Sequence, residues 1–189
     1  HFWVRYWPGG RRRCWSSLFS DRAVAYRKQR GIAPEAVELA VVVQRLVPAS
    51  VAGVLFTADP VLGRRGRAVI DASPGLGEAV VSGAVNPDQF RVDVTGSRVV
   101  HRRLGDKTVS VRATPGGGVE QVRDARTGPC LTDRQARELA ALGAEVEAVY
   151  GAPQDTEWAL DGKGRFWLTQ ARPITTLFPV PEGRGGARA

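Results

Sequence analysis

The stretch Asp155-Thr-Glu-Trp-Ala-Leu-Asp-Gly-Lys-Gly-Arg-Phe-Trp-Leu-Thr-Gln-Ala-Arg172 decides how the C-terminal part of this chain folds. Polar and apolar residues alternate on both sides of Asp161-Gly-Lys-Gly, a pattern that predicts a β-hairpin. If the loop has an even number of residues, parity places Glu157 on the same sheet face as Gln170 and Arg172. The same parity turns three apolar side chains to the opposite, core face: Trp158, Leu160 and Trp167.

The polar face of this hairpin has the residue types of a magnesium-phosphate site. Glu157 and Gln170 offer the hard carboxylate and amide oxygens that magnesium prefers. Arg172, two residues along the strand, can clamp the phosphates that the metal also binds. The spacing leaves an alternative open, in which Glu157 pairs with Arg172 on a solvated hairpin that binds nothing.

The rest of the chain predicts an α+β fold in which sheet dominates the middle. Thr132 and Gln135 form a capping box before an apolar stripe of Leu139, Leu142, Val146 and Val149. β-branched and alternating runs predict the strands, and Gly and Pro mark the turns between them. The predicted helices are residues 14–30, with a second segment capped at Asp21, and 133–150; the predicted strands are 39–47, 51–57, 67–71, 90–94, 98–104, 107–112, 119–123, 155–160 and 165–172.

Composition sets limits on the class of protein. The chain has 189 residues, 43% of them hydrophobic and 24% charged, which suits one sizeable core or two small lobes. No apolar stretch approaches the roughly 20 residues that cross a bilayer, and the N-terminus lacks the features of a signal peptide, so a cytoplasmic location is expected by default. Cys14 and Cys130 are too few for a disulfide framework or a Cys/His zinc site.

The net charge of +8 suits a polyanionic partner such as a nucleotide, a phosphate or a nucleic acid. The arginines are scattered along the chain, and Arg11–Arg13 is the single run, which favours a generally basic surface over a nucleic-acid patch. Neither His1 nor His101 lies in a motif that predicts a phosphohistidine.

Two blocks of the hairpin, Asp155-Thr-Glu-Trp-Ala and Gln170-Ala-Arg-Pro-Ile-Thr, resemble the end of the ATP-binding domain in the phosphoenolpyruvate synthase and pyruvate phosphate dikinase family, which includes rifampicin phosphotransferase. Similar blocks occur upstream in the same order. They are Cys14-Trp-Ser-Ser-Leu-Phe-Ser-Asp-Arg-Ala, Val43-Gln-Arg-Leu-Val, Ala52-Gly-Val-Leu-Phe-Thr-Ala-Asp-Pro, and Gly75-Leu-Gly-Glu-Ala-Val-Val-Ser-Gly with Pro87-Asp. The resemblance covers residues 14–180.

The resemblance implies a truncated ATP-grasp-like subdomain, with a mixed or antiparallel sheet and flanking helices, that binds ATP and Mg²⁺. The family's metal-binding and catalytic pair falls on Glu157 and Gln170, its phosphate-binding arginine on Arg172, and a nearby acid on Asp155. The linker whose backbone binds adenine falls on Gln44, Arg45, Leu46 and Val47. Gly75-Leu-Gly-Glu78 either lets the backbone approach phosphates, with Glu78 as a further nucleotide-binding candidate, or is a structural turn.

The resemblance also implies parts that this sequence does not contain. Residues 1–13 do not resemble the family's N-terminal lobe, residues 14–176 form a partial nucleotide-binding domain, and residues 177–189 are expected to be a linker or tail. In the family, a phosphohistidine domain carries a phosphoryl group from ATP to pyruvate or a rifamycin-type acceptor. The chain is therefore interpreted as the ATP- and magnesium-binding portion of such a phosphotransferase, inactive alone. The alternatives are a basic nucleic-acid-binding module and an inactive remnant of the family.

Overall fold

The computed structural model describes residues 7–81, 83, 85–114, 119–123, 127–175 and 177. The chain divides into two compact units, His1–Leu46 with Arg112–Glu120, and Val47–Val111 with Gln121–Ala189. His1, residues 115–118 between two of the predicted strands, and nearly all of the predicted tail lie outside the described residues.

The described part of the first unit contains two α-helices, α1 (Trp7–Ser16) and α2 (Asp21–Arg30), where the sequence predicts helix over residues 14–30. A 3-10 turn at Ser17–Phe19 separates them. The second segment is confirmed, but its cap is Ser20, whose hydroxyl accepts a hydrogen bond from the Ala23 amide at 3.4 Å. A further 3-10 turn spans Pro34–Ala36, and none of the side chains described between residues 12 and 46 is buried.

The strand predicted over residues 39–47 is wrong in this structure. Residues 37–48 adopt no regular secondary structure, and Val42 and Val43 are exposed. A run of β-branched residues fits a pleated surface, but the backbone forms a strand only when a neighbouring strand accepts its hydrogen bonds. Among the described residues no strand pairs with this stretch.

The second unit is built on a six-stranded sheet with the order β4-β3-β2-β1-β7-β8, in which every neighbouring pair is antiparallel. The remaining strand predictions are confirmed, with small changes at their ends. The six strands are β1 (Ala49–Phe56), β2 (Arg67–Pro74), β3 (Asp88–Asp93), β4 (Arg98–Arg103), β7 (Gln154–Asp161) and β8 (Phe166–Pro173). The strands β5 (Val109–Ala113) and β6 (Val119–Arg123) form a separate two-stranded sheet.

Among its described residues, the second unit has two helices: the short α3 (Glu78–Val81) and α4 (Asp133–Tyr150). The capping box is confirmed, because Thr132 and Gln135 exchange hydrogen bonds at the start of α4. The predicted apolar stripe is only partly right, since Val149 is 82% exposed. The buried face of α4 is Ala136, Leu139, Ala140 and Gly143.

The core lies between α4 and one face of the six-stranded sheet. Leu55, Ile70, Phe90 and Trp158, from four adjacent strands, pack there with Leu139 of α4. Because side chains alternate along a strand, the residues between them point to the opposite face. The α+β prediction with a mostly antiparallel sheet is confirmed. None of the described helices combines the length and apolarity that a membrane-spanning helix needs.

Candidate functional site

The hairpin of β7 and β8 brings the predicted site residues together in two cross-strand pairs. Glu157 lies opposite Gln170, and Asp155 lies opposite Arg172. Paired residues point to the same side of a sheet, and these residues are two apart in each strand, so all four share one face. It is the face opposite α4, because Trp158, the neighbour of Glu157 in β7, points to the other face and is buried in the core.

A β-bulge produces this arrangement. Trp158 pairs with Leu168, whereas Glu157 pairs with Gln170, so Thr169 has no partner in the register. Without the extra residue, Glu157 would lie opposite Thr169, and Gln170 would point to the core. The predicted shared face is therefore correct, but it depends on the bulge and not on an even-numbered loop.

The prediction that Trp167 points into the core is wrong. Its cross-strand partner is Ala159, which belongs to the same face as Glu157, and the Trp167 side chain is 40% exposed. Its ring nitrogen donates a hydrogen bond to Asp161 Oδ2 at 2.9 Å. Phe166 and Leu168 pack against the core instead.

Asp155 and Arg172 form an ion pair at the outer end of this face. Arg172 Nε donates a hydrogen bond to Asp155 Oδ2 at 2.8 Å, and Arg172 Nη2 lies 2.7 Å from the same oxygen. The Asp155 side chain is mostly buried, and that of Arg172 is 66% exposed. Asp155 therefore orients the guanidinium, whose other amino group is available for an anion.

Glu157 lies in surroundings that disfavour its negative charge. Burial raises the pKa of Glu157, the charge of Asp155 raises it further, and Arg172 partly offsets both effects. A bound cation would relieve this destabilisation, so the carboxylate fits a metal-ligating role. Together with the amide oxygen of Gln170, it supplies two hard oxygen donors.

No group of three or more His, Cys, Asp or Glu side chains in the described ranges is arranged to hold a metal ion.

The same face carries three residues that the sequence analysis did not single out: Asp71, Gln89 and Arg91. Asp71 lies opposite both Val54 and Gln89, and Val54 lies opposite Glu157. Burial raises the pKa of Asp71, although the Gln89 hydrogen bond and nearby arginines oppose that rise. The sequence signal that could have revealed them is a repeated spacing, because Gln and Arg are two residues apart in both β3 and β8.

The glycine loop before α3 behaves as a structural turn at its first two residues. The Gly75 and Leu76 amides donate to the carbonyl oxygens of Ser50 and Val111, at 3.0 and 2.8 Å. Gly75 has a φ of +82°, and a Cβ there would lie 2.2 Å from the Val111 oxygen, so only glycine fits. Glu78 has one buried carboxylate oxygen without a hydrogen-bond partner among the described residues, and its role with nucleotide stays a prediction.

The predicted adenine-binding stretch lies where the two units divide. Gln44, Arg45 and Leu46 are exposed residues of the first unit, and Val47 opens the second. Their role, and their approach to the hairpin, stay predictions. A shallow hollow of about 670 Å³ lies along α2 in the first unit, and none of the predicted site residues lines it.

His101 and several arginines lie on the strands of the six-stranded sheet. His101 is exposed on β4. Arg91 on β3, Arg98 and Arg102 on β4, and Arg172 on β8 each lie in an ion pair with an aspartate.

Residues 10–182 match the model of the pyruvate phosphate dikinase AMP/ATP-binding domain. The chain belongs to this domain family. The family's sequence pattern thus extends over both units and includes the hairpin.

Relatives of this domain occur in much longer proteins. The chain is 51% identical over 173 residues to a rifampicin phosphotransferase of a Streptomyces species, and 44% identical over 173 residues to that of Bacillus subtilis; each match covers 90% of the chain and 20% of the relative. It is 43% identical over 176 residues to a phosphoenolpyruvate synthase of Pyrococcus furiosus, which covers 88% of the chain and 22% of the relative. The chain thus spans about a fifth of the length of these curated relatives.

Proposed function

We propose that this chain is the ATP- and magnesium-binding portion of a phosphotransferase and has an ATP-grasp-like fold. Glu157 and Gln170 ligate Mg²⁺, and Arg172 binds the nucleotide phosphates. The observation that carries the proposal is the pair of cross-strand contacts, Glu157 with Gln170 and Asp155 with Arg172, on one face of the sheet. The family match agrees with it.

Each of these residues has a separate task. The half-buried Glu157 carboxylate provides the negative charge that attracts the cation, and Gln170 adds a neutral oxygen. Asp155 holds Arg172 through Nε and Nη2, so the guanidinium keeps its direction when a phosphate approaches. Magnesium, when bound, neutralises phosphate charge during transfer of a phosphoryl group.

Other residues of the chain contact the rest of the nucleotide. The backbone of Gln44, Arg45, Leu46 and Val47 binds adenine, and Glu78 and Asp155 lie near the nucleotide. The matching relatives include rifampicin phosphotransferases and phosphoenolpyruvate synthases. A phosphohistidine domain outside this sequence therefore passes the phosphoryl group to pyruvate or to a rifamycin-type acceptor.

Equilibrium dialysis with ATP, in the presence and absence of Mg²⁺, tests the proposal. We expect binding that requires Mg²⁺ and weakens by at least about tenfold in Glu157→Gln, because a hydrogen bond or ligand bond to a charged group contributes on the order of 1.5–3 kcal/mol. Glu138→Gln makes the same chemical change on the exposed side of α4 and should leave binding unchanged.

Three results contradict the proposal: no Mg²⁺-dependent binding, equal binding with and without Mg²⁺, or a Glu157→Gln variant that binds as the unmodified chain does. Circular dichroism of each variant establishes that a loss of binding is not a loss of fold.

A further inference from the structure

The polar face of the six-stranded sheet contains the hairpin constellation twice. In the first copy, Glu157 on β7 lies opposite Gln170 on β8, and Arg172 follows two residues after Gln170. In the second, Asp71 on β2 lies opposite Gln89 on β3, and Arg91 follows two residues after Gln89. Each copy thus consists of a carboxylate, an amide across the ladder, and an arginine next along the same face.

The two copies lie side by side, separated only by β1. One continuous row crosses five strands and contains Gln89, Asp71, Val54, Glu157 and Gln170. Since neighbouring strands lie about 4.8 Å apart, the Cα atoms of Asp71 and Glu157 are about 10 Å apart.

The adjacent row has an arginine at each end. It contains Arg91, Val69, Phe56, Asp155 and Arg172, again on five successive strands. The two carboxylate-amide pairs are therefore flanked on the same side by guanidinium groups. Such a surface suits an extended polyanion that carries cations.

The second pair has the oxygen atoms that a cation needs. Gln89 Nε2 donates a hydrogen bond to Asp71 Oδ1 at 3.0 Å. This bond uses one amide hydrogen and one carboxylate oxygen, so Gln89 Oε1 and Asp71 Oδ2 can both turn to a ligand. Both side chains are half-buried, which leaves them within reach of an ion from solvent.

A buried aspartate, Asp59, lies beside the guanidinium of Arg91. Its Nε lies 3.6 Å from Asp59 Oδ2, and the Asp59 side chain is almost completely buried. Asp59 is itself held in its turn, because its Oδ1 accepts hydrogen bonds from the Val61 and Leu62 amides at 3.0 and 2.9 Å. The charge of Asp59 therefore attracts Arg91 at its Nε side, without the hydrogen bond that Asp155 accepts from Arg172.

We propose that Asp71 and Gln89 form a second divalent-cation site, and that Arg91 binds a phosphate carried by that cation. The inference rests on the proposed function, because the second cation binds the same phosphate chain as the first cation, which Glu157 and Gln170 hold. The ligand class is a polyphosphate with two divalent cations, one at each carboxylate-amide pair.

Equilibrium dialysis of the chain against Mn²⁺ and inorganic tripolyphosphate, followed by elemental analysis of manganese and phosphorus, counts the bound ions. We expect two protein-dependent manganese ions per chain. Asp71→Asn and Glu157→Gln should each remove one of them, and the double variant should remove both. Asp93→Asn takes a carboxylate from the end of β3 on the same face and should remove none.

The outcomes separate the two assignments. Loss of an ion in Glu157→Gln but not in Asp71→Asn overturns the second site and leaves the proposed function standing. Loss in Asp71→Asn alone supports the second site and overturns the assignment of Glu157. An unchanged count in both variants, or no bound manganese at all, overturns both.

Two further measurements exclude a purely structural role for the pair. An Asp71→Asn variant that melts earlier but still holds both ions would show that the Asp71–Gln89 hydrogen bond serves the fold alone and would overturn the site. Arg91→Gln should weaken tripolyphosphate binding about tenfold, since a hydrogen bond to a charged group is lost, and should leave manganese binding without phosphate unchanged. Unchanged tripolyphosphate binding would overturn the role of Arg91.

Discussion

The buried ion pair between Lys107 and Asp88 allows a sharp prediction about stability. Lys107 Nζ donates to Asp88 Oδ1 at 2.6 Å, and both side chains are almost completely buried. Asp88 also accepts hydrogen bonds from the amides of Gly105, at 2.9 Å, and Cys130, at 2.7 Å. Lys107→Met keeps the length of the side chain and removes its charge. Lys107 has a φ of +47°, and methionine is no more strained there than lysine.

The expected loss of stability in Lys107→Met follows from the Asp88 charge, which stays buried without its partner. Removing one partner of a buried pair typically costs about 3–5 kcal/mol, because the other charge stays buried. The two backbone donors still stabilise the carboxylate, and Asp88 can also take up a proton. At pH 7, protonating a carboxyl with the ordinary pKa of 3.8 costs about 4 kcal/mol, which sets an upper limit. We therefore expect the free energy of unfolding to fall by about 3–4 kcal/mol, which lowers Tm by roughly 6–16 °C for a chain of this size.

Urea unfolding at pH 7 of the unmodified chain, Lys107→Met, Asp88→Asn and the double variant measures this loss. The double variant has no buried charge at the pair, so it should be more stable than the sum of the two single losses predicts. Strict additivity, or a loss below about 1 kcal/mol in Lys107→Met, would refute the reasoning, because the amides would then satisfy the carboxylate without the lysine.

The pH dependence of the same variants checks the electrostatic origin. Burial alone would raise the pKa of Asp88, but the hydrogen bonds from Lys107, Cys130 and Gly105 together lower it. A lowered carboxyl pKa stabilises the folded chain above the unfolded value, and that contribution disappears as the pH falls through the folded value. The difference between the unmodified chain and Lys107→Met should thus be largest near neutral pH and shrink below pH 3.8.

Two smaller predictions concern α4. A Cβ at Gly143 would lie 2.6 Å from the buried Leu55 Cδ2, so Gly143→Ala should cost about 1–3 kcal/mol in urea unfolding through overpacking. Gly162→Ala, with open space around it, should change stability by less than about 0.5 kcal/mol, and equal losses would contradict the packing argument. Thr132→Ala removes the hydroxyl that accepts from the Gln135 amide and should cost about 1 kcal/mol; an unchanged melting temperature would show that water replaces the cap.

Local sequence patterns predicted the elements whose contacts are made between residues close together in the chain. The hairpins of β3 with β4 and β7 with β8 were recognisable because each carries its alternation and its turn within about 20 residues. The capping box at Thr132 is likewise a contact between neighbours in sequence. Residues 39–47 failed for the opposite reason: their β-branched pattern is local, but a strand needs a partner from elsewhere in the chain.

The candidate site was predictable in part. Glu157, Gln170 and Arg172 were placed on one face, yet the bulge at Thr169 that brings them there leaves no mark in the alternation. Asp71 was missed because its relation to Glu157 passes through Val54 of β1, and the sequence does not state which strand lies between the two hairpins. Strand order is a property of the whole fold and decides which distant residues share a face.

The central position of β1 determines how far apart the two constellations lie. At Gly53, a Cβ would be 1.8 Å from the carbonyl oxygen of Asp71 and 3.2 Å from the Ala72 Cα, so β1 and β2 approach too closely here for any side chain. The next residue, Val54, is the single position between Asp71 and Glu157. A side chain at Gly53 would clash with the backbone of Asp71 and Ala72, so it would have to displace β2 from β1 and move Asp71 with it. The glycine thus acts on the proposed second site through the spacing of the strands, without being part of it.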